Sequence, residues 1–173
     1  MVYIVRHPET EFNRKGIVQG WADSNLTEKG KMIANKLGMR LKNKGIVKIY
    51  SSDLGRAMQT ANIINKHLNV KIISKKELRE RNYGMFNGKL IKVVRQKVDL
   101  LDEKLVLPKG ESIKEMKMRI LRFVKLLKEK KPVLIVTHEG CLRTILAEKY
   151  KVKFSLVKCN TSSEKIYIWD IVN

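Results

Sequence analysis

Two histidines, two arginines and one glutamate stand where short apolar runs of this sequence give way to polar residues. In chain order they are Arg6, His7, Arg56, Glu80 and His138. Arg6 and His7 close the first apolar run, Arg56 and His138 come just after two later ones, and Glu80 lies in the loop after another. Because the carboxyl ends of parallel strands meet at one edge of a sheet, we expect all five side chains to share one pocket.

This set of side chains suits the transfer of a phosphoryl group. Catalysis of that reaction consists largely of positioning and of stabilising negative charge on the phosphoryl oxygens. The guanidinium groups match phosphate geometry and stay charged. Arg56 and His138 also lie at predicted helix starts, where free N–H groups favour anions. A neutral imidazole such as that of His7 is a competent nucleophile, and Glu80 is suited to protonate the leaving alkoxide.

The elements that must position these residues are strands alternating with helices. Continuous apolar runs are typical of strands buried on both faces, and an alternating run with β-branched and aromatic residues is typical of an outer strand. The predicted strands are Val2–Val5, Val47–Tyr50, Val70–Ile73, Val133–Val136 and, as the outer strand, Lys165–Asp170. Strands joined by helical segments predict an α/β layer fold.

Helical periodicity fills the intervals between these runs. Thr27 is a suitable cap for a helix with apolar residues every four positions, and Gly45 is placed to end that helix. The segment Ser51-Ser52-Asp53 offers caps for a second helix with its apolar stripe from Ala57 to Leu68. Apolar spacing from Ile91 to Leu105 predicts a third.

Two more helices are predicted in the last third of the chain. Ser112 followed by Glu115 forms a capping-box pattern at the start of an amphipathic segment that follows Pro108-Lys109-Gly110. Leu142, Ile145 and Leu146 mark a short helix after the fourth strand.

The segment RHPETEFN at positions 6–13 resembles the RHGE[TS]xxN signature of the histidine phosphatase superfamily, in its phosphoglycerate-mutase-like branch. The resemblance continues through residues 19–20, LTEKG at 26–30, SSDLGRAMQTA at 51–61, LRERNYG at 78–84, GES at 110–112 and VTHEG at 136–140. It covers almost the whole chain in the family's order. It implies a three-layer α/β/α sandwich with a mostly parallel central sheet.

The resemblance also implies roles for individual residues. His7 would be phosphorylated, Glu80 would be the proton donor, and the phosphoryl group would be bound by Arg6, Arg56 and His138. The positions expected to contact phosphate or substrate are Asn13, Gln19, Gly20, Tyr83 and Glu139. For Tyr83, a simple packing role is equally compatible with the sequence. No metal and no cofactor is expected, because arginine and histidine supply the positive charge.

The sequence departs from the family pattern at two positions beside the histidines. Pro8 replaces the usual glycine and loses the N–H, but its carbonyl can still accept a hydrogen bond from one imidazole nitrogen and leave the other free to attack. Glu139 stands where the family usually has a small residue. Because a carboxylate would repel phosphate, we expect its side chain to point away from the phosphoryl site.

Composition limits the remaining classes of protein. A chain of 173 residues favours a single domain over 1–173, with residues 85–110 as a small cap. Two cysteines without a CxxC pair and an N-terminal apolar run too short for a signal peptide favour a cytoplasmic protein without a membrane segment. The net charge of +20 is spread along the chain without an aromatic cluster, which disfavours nucleic acid and favours phosphorylated small molecules as partners.

Three functions are compatible with the sequence. The leading hypothesis is a phosphatase that hydrolyses small phosphomonoesters through phospho-His7. The second is a cofactor-dependent phosphoglycerate mutase that uses the same intermediate, although the segment from Gly88 to Pro108 holds a single arginine, Arg95, where such mutases carry a pair. The third, from another class, is a basic binding protein without catalysis. The oligomeric state stays open, with a homodimer as one alternative.

Overall fold

The computed structural model describes residues 1–157 and 164–169, and a single mixed sheet lies at its centre. Its strands in the described residues are β1 (Val2–Arg6), β2 (Lys48–Ser51), β3 (Lys71–Ser74), β4 (Val133–Thr137) and β5 (Tyr167–Trp169). They lie in the order β3-β2-β4-β1-β5; the first four are parallel to their neighbours and β5 is antiparallel to β1. The first four predicted strands are therefore confirmed to within one residue at each end. The outer strand is shorter than predicted, since β5 begins at Tyr167 rather than Lys165, and Asp170 lies outside the described residues.

Helices cover both faces of this sheet. In chain order the α-helices of the described residues are α1 (Glu11–Arg14), α2 (Glu28–Leu41), α3 (Gly55–Leu68), α4 (Ile91–Arg95), α5 (Ile113–Leu126) and α6 (Glu139–Tyr150). Alternate residues of β1 point to opposite sides: Val2 and Ile4 pack with α5 and α6, whereas Tyr3 and Val5 pack with α2 and α3. The two apolar clusters confirm the three-layer α/β/α sandwich.

Two of the predicted helix starts are confirmed in detail. The Thr27 side chain accepts a hydrogen bond from the backbone N–H of Gly30 at the start of α2. Ser112 and Glu115 form the reciprocal capping box that begins α5. Helix α2 ends at Leu41, before Gly45, and α6 is longer than the short helix predicted from its apolar residues.

The predicted caps of α3 are wrong. The residue before this helix is Leu54, which offers no side-chain cap, and the Asp53 carboxylate is paired with Arg79. The acceptor comes from a distant loop: the Asp23 carboxylate binds the backbone N–H groups of Gly55 and Arg56. A helix N-terminus favours a negative charge, and here that charge is supplied non-locally.

The third predicted helix, over Ile91 to Leu105, is much shorter than its apolar spacing indicates. It stops at Arg95, and the following residues form turns. The side chains of Asp99 and Asp102 accept hydrogen bonds from the backbone N–H groups two residues further on. Such local bonds compete with helical ones and disfavour a helix over residues 99–104.

One buried arginine holds this irregular segment in place. The Arg81 guanidinium is 1% exposed and donates to the backbone carbonyls of Leu100, Leu105 and Glu111 at 2.9–3.1 Å. The segment is therefore anchored to the loop that follows β3. No helix among residues 1–157 and 164–169 combines the length and apolar character that crossing a membrane requires.

Candidate active site

His7 lies immediately after β1, and its two ring nitrogens have different partners. Its backbone N–H bonds to the Thr137 carbonyl at 2.9 Å, which fixes it beside the end of β4. Nδ1 lies 2.8 Å from the Pro8 carbonyl, and Nε2 lies 3.2 Å from the Nε of Arg56. A carbonyl can only accept and a guanidinium can only donate. Both contacts are satisfied together only by the neutral imidazole with its proton on Nδ1 and its lone pair on Nε2.

The surroundings of His7 also favour the neutral ring. Burial, followed by the positive charges of Arg56 and Arg6, holds the pKa of His7 well below its usual value near 6.5. The prediction that the Pro8 carbonyl would orient this imidazole is confirmed.

Arg56 is held by the loop that precedes α2. The side chain is 1% exposed; Nη2 donates to the Gly20 carbonyl at 2.8 Å, and Nη1 donates to the Ala22 carbonyl and the Asp23 carboxylate at 3.1 Å. Because the guanidinium is planar, these bonds leave its Nε directed at His7. Asp23 thus both caps α3 and orients the arginine, a role that the sequence interpretation missed.

His138 lies directly before α6 and packs against the nucleophile candidate. The ring centroids of His7 and His138 are 5.1 Å apart with an edge-to-face geometry, and Nε2 of His138 is 2.8 Å from the Ser52 hydroxyl. Burial and the nearby charge of Arg56 lower its pKa well below the usual value. Across the part of the chain that the structure describes, two buried side-chain nitrogens have no hydrogen-bond partner, Arg6 Nε and His138 Nδ1.

Glu80 is fixed by backbone groups on both sides of the site. One carboxylate oxygen accepts from the N–H of Arg81 at 2.8 Å, and the other accepts from the N–H of Gly140, in the first turn of α6, at 3.1 Å. A Cβ on Gly140 would collide with the Glu80 carboxylate, so glycine is required for this close approach. The side chain is buried but faces the cavity described next.

These residues surround a cavity of about 560 Å³. Arg6, His7, Arg56 and Glu80 line it, whereas His138 is fully buried in contact with the His7 ring. All five predicted substrate-side residues are also in its wall: Asn13, Gln19, Gly20, Tyr83 and Glu139. Further lining residues that the sequence interpretation did not assign come from the 91–101 segment and from α6; they include Arg95, Asp99 and Arg143.

The predicted substrate-side residues differ in how they are held. The Asn13 amide oxygen accepts from the N–H and hydroxyl of Thr10, and Gln19 binds the Ser24 hydroxyl. Gly20 has a φ of +51°, and a Cβ there would overlap the Tyr83 ring and the Asn87 side chain, so a larger residue would strain the backbone and displace these neighbours. Burial raises the pKa of Tyr83, which keeps its hydroxyl protonated.

The expectation that Glu139 points away from the phosphoryl site is wrong. Its carboxylate lines the cavity and is paired with two arginines, Arg6 and Arg143, each at 3.0 Å. The two pairs hold the Glu139 carboxylate in place beside Arg6. The spacing of Glu139 and Arg143, four residues apart on one helix, was a signal in the sequence for the second pair.

We predict that the free energy of unfolding falls as the pH is lowered below about 6.5. The unfolded chain takes up a proton on His7 and on His138 near that pH, whereas the folded protein, with both pKa values lowered, does not. Each histidine therefore lowers the free energy of unfolding by ~1.4 kcal/mol per pH unit as the pH falls, until the pH reaches the pKa of that histidine in the folded protein. Urea unfolding at pH 7.5, 6.5 and 5.5 measures this slope.

Variants separate the two histidines in that experiment. In His7→Gln and in His138→Gln, the decrease in the free energy of unfolding between pH 6.5 and 5.5 is expected to be smaller by the contribution of one histidine. Equal slopes for both variants and the wild type would show that the buried pair does not cause the loss of stability.

Comparisons with known proteins bear on the family and the fold of the chain. A family model described as the histidine phosphatase superfamily (branch 1) matches residues 2–163. The probable phosphoglycerate mutase GpmB of Escherichia coli O1:K1 / APEC is 38% identical over 126 residues, 69% of this chain and 59% of that protein. The chain thus spans less than two thirds of the length of such curated relatives.

Solved structures share the fold. Bacillus stearothermophilus YhfR has a TM-score of 0.81 and 34% identity, covering 88% of this chain and 81% of that one. The alpha-ribazole phosphatase from Shigella flexneri has a TM-score of 0.80 and 25% identity, covering 89% and 81%. The family match spans nearly the whole chain and includes the strand-end histidines, arginines and glutamate, so this chain belongs to the histidine phosphatase superfamily, branch 1.

Proposed function

We propose that this chain is a phosphatase that hydrolyses small phosphomonoesters through a covalent phosphohistidine at His7. The observation that carries the proposal is the assignment of the His7 tautomer: Nδ1 donates to the Pro8 carbonyl, and Nε2 carries the lone pair, which accepts from Nε of Arg56 in the cavity wall and would turn to phosphorus when a phosphoryl group binds there. A neutral, fixed imidazole with its lone pair on the cavity side is the state that a nucleophile requires.

The phosphoryl group would be bound by Arg6, Arg56 and His138. Two of these residues supply the buried nitrogens that lack a partner within the described residues, Arg6 Nε and His138 Nδ1. Buried polar groups are nearly always hydrogen-bonded, so donors left unpaired at one site are suited to a ligand. With Nε2 accepting from the Ser52 hydroxyl, His138 would present its Nδ1–H to a phosphoryl oxygen.

The reaction then follows two balanced steps. Nε2 of His7 attacks phosphorus, the bond from phosphorus to the ester oxygen breaks, and protonated Glu80 gives its proton to the leaving alkoxide. In the second step the Glu80 carboxylate takes a proton from water, which attacks phosphorus as the P–N bond breaks. The products are the alcohol and inorganic phosphate, and His7 and Glu80 return to their starting states.

The role of Glu80 predicts a dependence on the leaving group. In Glu80→Gln, kcat/KM for an alkyl ester such as glycerol 3-phosphate is expected to fall about 10³-fold, because the alkoxide needs a proton. For p-nitrophenyl phosphate, whose leaving group needs little help, the loss is expected to stay below about tenfold. Because kcat/KM reports the steps up to phosphoryl transfer, the comparison isolates proton donation.

Glu77 gives the matched control, since it lies three residues earlier and is exposed to solvent. Glu77→Gln is expected to leave both rates within about twofold of the wild type. Equal losses for the two esters in Glu80→Gln would assign Glu80 a structural role in place of proton donation.

A phosphoglycerate mutase is the second candidate, and the name of the Escherichia coli relative favours it. A mutase must pass the phosphoryl group of His7 to an acceptor hydroxyl rather than to water. A turnover screen over phosphoglycerates, sugar phosphates and nucleotides decides between the two. Release of free phosphate without isomerised product supports the phosphatase, and isomerised product without free phosphate supports the mutase.

A further inference from the structure

The lining of the cavity combines two chemically different sets of residues. One set is polar and includes His7 with Arg6 and Arg56, which together with His138 form the proposed phosphoryl clamp. The other set, called the distal half below, is largely apolar and comes from the 91–101 segment, from α5 and beyond: Ile91, Val98, Leu100, Leu101, Met116 and Phe154. We expect the alcohol portion of a phosphate ester bound at His7 to contact this distal half.

Two of the three arginines that could bind a second anionic group there already have partners. Arg81 gives its guanidinium to three backbone carbonyls, and Arg143 is paired with Glu139 at 3.0 Å while its guanidinium lies over the Phe154 ring at 5.5 Å. Arg95 has no partner among the described residues, but it is exposed to solvent, and Asp99 shares its part of the wall. Exposed charges are strongly screened and bind weakly.

Glu139 also adds its own negative charge next to the clamp. Its carboxylate lies in the cavity wall with a side chain that is 30% exposed, and it bridges Arg6 of the clamp to Arg143 of the distal half. A second carboxylate or phosphate on the substrate would have to compete with Glu139 for Arg143, and it would face the Glu139 charge while doing so. Like charges placed close together are a common means of rejecting a wrong ligand.

We infer that Glu139 is a specificity-determining residue that selects phosphomonoesters with an uncharged alcohol portion and disfavours those with a second acidic group. This inference rests on the proposed function, since it concerns the substrate of the same site. It distinguishes the chain from an enzyme built for phosphoglycerates, which carry a carboxylate beside the phosphate ester.

A matched pair of esters tests the inference. Glycerol 3-phosphate and 3-phosphoglycerate differ only in a CH2OH group in place of a carboxylate. For the wild type, kcat/KM is expected to favour glycerol 3-phosphate by about tenfold or more. In Glu139→Gln this preference is expected to shrink about tenfold, chiefly through a lower KM for 3-phosphoglycerate. Glu139→Ala is expected to shift the preference in the same direction and serves if the glutamine variant unfolds.

Glu148→Gln is the control for the loss of one negative charge. Glu148 lies on the same helix, α6, and is ion-paired with Lys125 and Lys151 away from the cavity lining. This variant is expected to keep the wild-type preference. The inference is overturned if the wild type prefers 3-phosphoglycerate, or if the ratio in Glu139→Gln stays within about twofold of the wild-type ratio.

Binding without turnover separates this inference from the proposed function. If the wild type hydrolyses neither these two esters nor p-nitrophenyl phosphate, the proposed function fails. Calorimetric titration of both esters into His7→Ala, with and without Glu139→Gln, then still measures the preference. Tighter binding of glycerol 3-phosphate than of 3-phosphoglycerate to His7→Ala, with a smaller difference in the double variant, supports the role of Glu139. An unchanged ratio of the two dissociation constants contradicts it.

Discussion

His7→Ala is expected to lower kcat for p-nitrophenyl phosphate by about 10⁴-fold or more, because loss of a covalent nucleophile leaves only the contribution of binding. Brief incubation with a ³²P-labelled phosphomonoester followed by rapid denaturation should label the wild type and leave His7→Ala unlabelled. The label should be lost on acid treatment and survive alkali, as a phosphoramidate bond does and a phosphoserine does not. The expected result follows from the proposed attack of the Nε2 lone pair of His7 on phosphorus, because among the described residues that line the cavity His7 is the one histidine.

His67→Ala is the matched control. His67 is a half-buried histidine on α3 that bonds the Asn35 side chain at 2.7 Å and does not line the cavity. Its removal is expected to change kcat less than about twofold. Equal residual rates in His7→Ala and the wild type would contradict the enzyme proposal for this site and revive the binding-protein alternative.

Arg56→Ala has the second largest expected effect, and it acts on both rate and stability. The guanidinium donates to His7, to the carbonyls of Gly20 and Ala22, and to Asp23. We expect kcat/KM to fall about 10³-fold, since one preorganised donor to the phosphoryl oxygens is removed. We expect the free energy of unfolding to fall by about 3 kcal/mol, because removal of a buried side chain leaves a void and the Gly20 and Ala22 carbonyls lose their donor. Steady-state kinetics and urea unfolding measure the two losses.

Two further variants test the interpretation of Arg56. Arg56→Lys keeps the charge but cannot reproduce the forked geometry, so we expect intermediate losses in both measurements. Arg14→Ala removes an exposed arginine paired with Glu11 and should cost less than about 1 kcal/mol with no change in rate. A value of kcat/KM for Arg56→Ala within tenfold of the wild type would show that the guanidinium does not stabilise the transferred group.

The sequence was sufficient to predict the sheet and the convergence of the strand-end residues. The runs that form β1 and β4 are continuously apolar because both faces of those strands are covered, and this makes them recognisable without a structure. Once the strands are parallel, the polar residues that follow them must meet at one edge. His7, Arg56 and Glu80 were predicted by that rule, before any resemblance was considered.

The contacts that orient these residues were less predictable, because they join distant parts of the chain. Asp23 caps a helix that begins more than thirty residues later, and no local pattern indicates such an acceptor. The spacing from Ile91 to Leu105 suggested a helix, yet several of its apolar residues, such as Val98 and Leu101, line the cavity instead. Apolar residues in the wall of a cavity held by turns can therefore show the same spacing as those on one face of a helix.

The anchoring of this wall by Arg81 has a consequence for how such a protein can diversify. The Arg81 guanidinium donates to the backbone carbonyls of Leu100, Leu105 and Glu111, and these bonds do not involve the side chains of those residues. A carbonyl is present whatever amino acid occupies a position, so substitutions along this segment alter what the cavity accepts without loosening its attachment. Substitutions in this segment can therefore change which alcohol portion of a substrate the cavity accepts, while the residues around His7 stay in place.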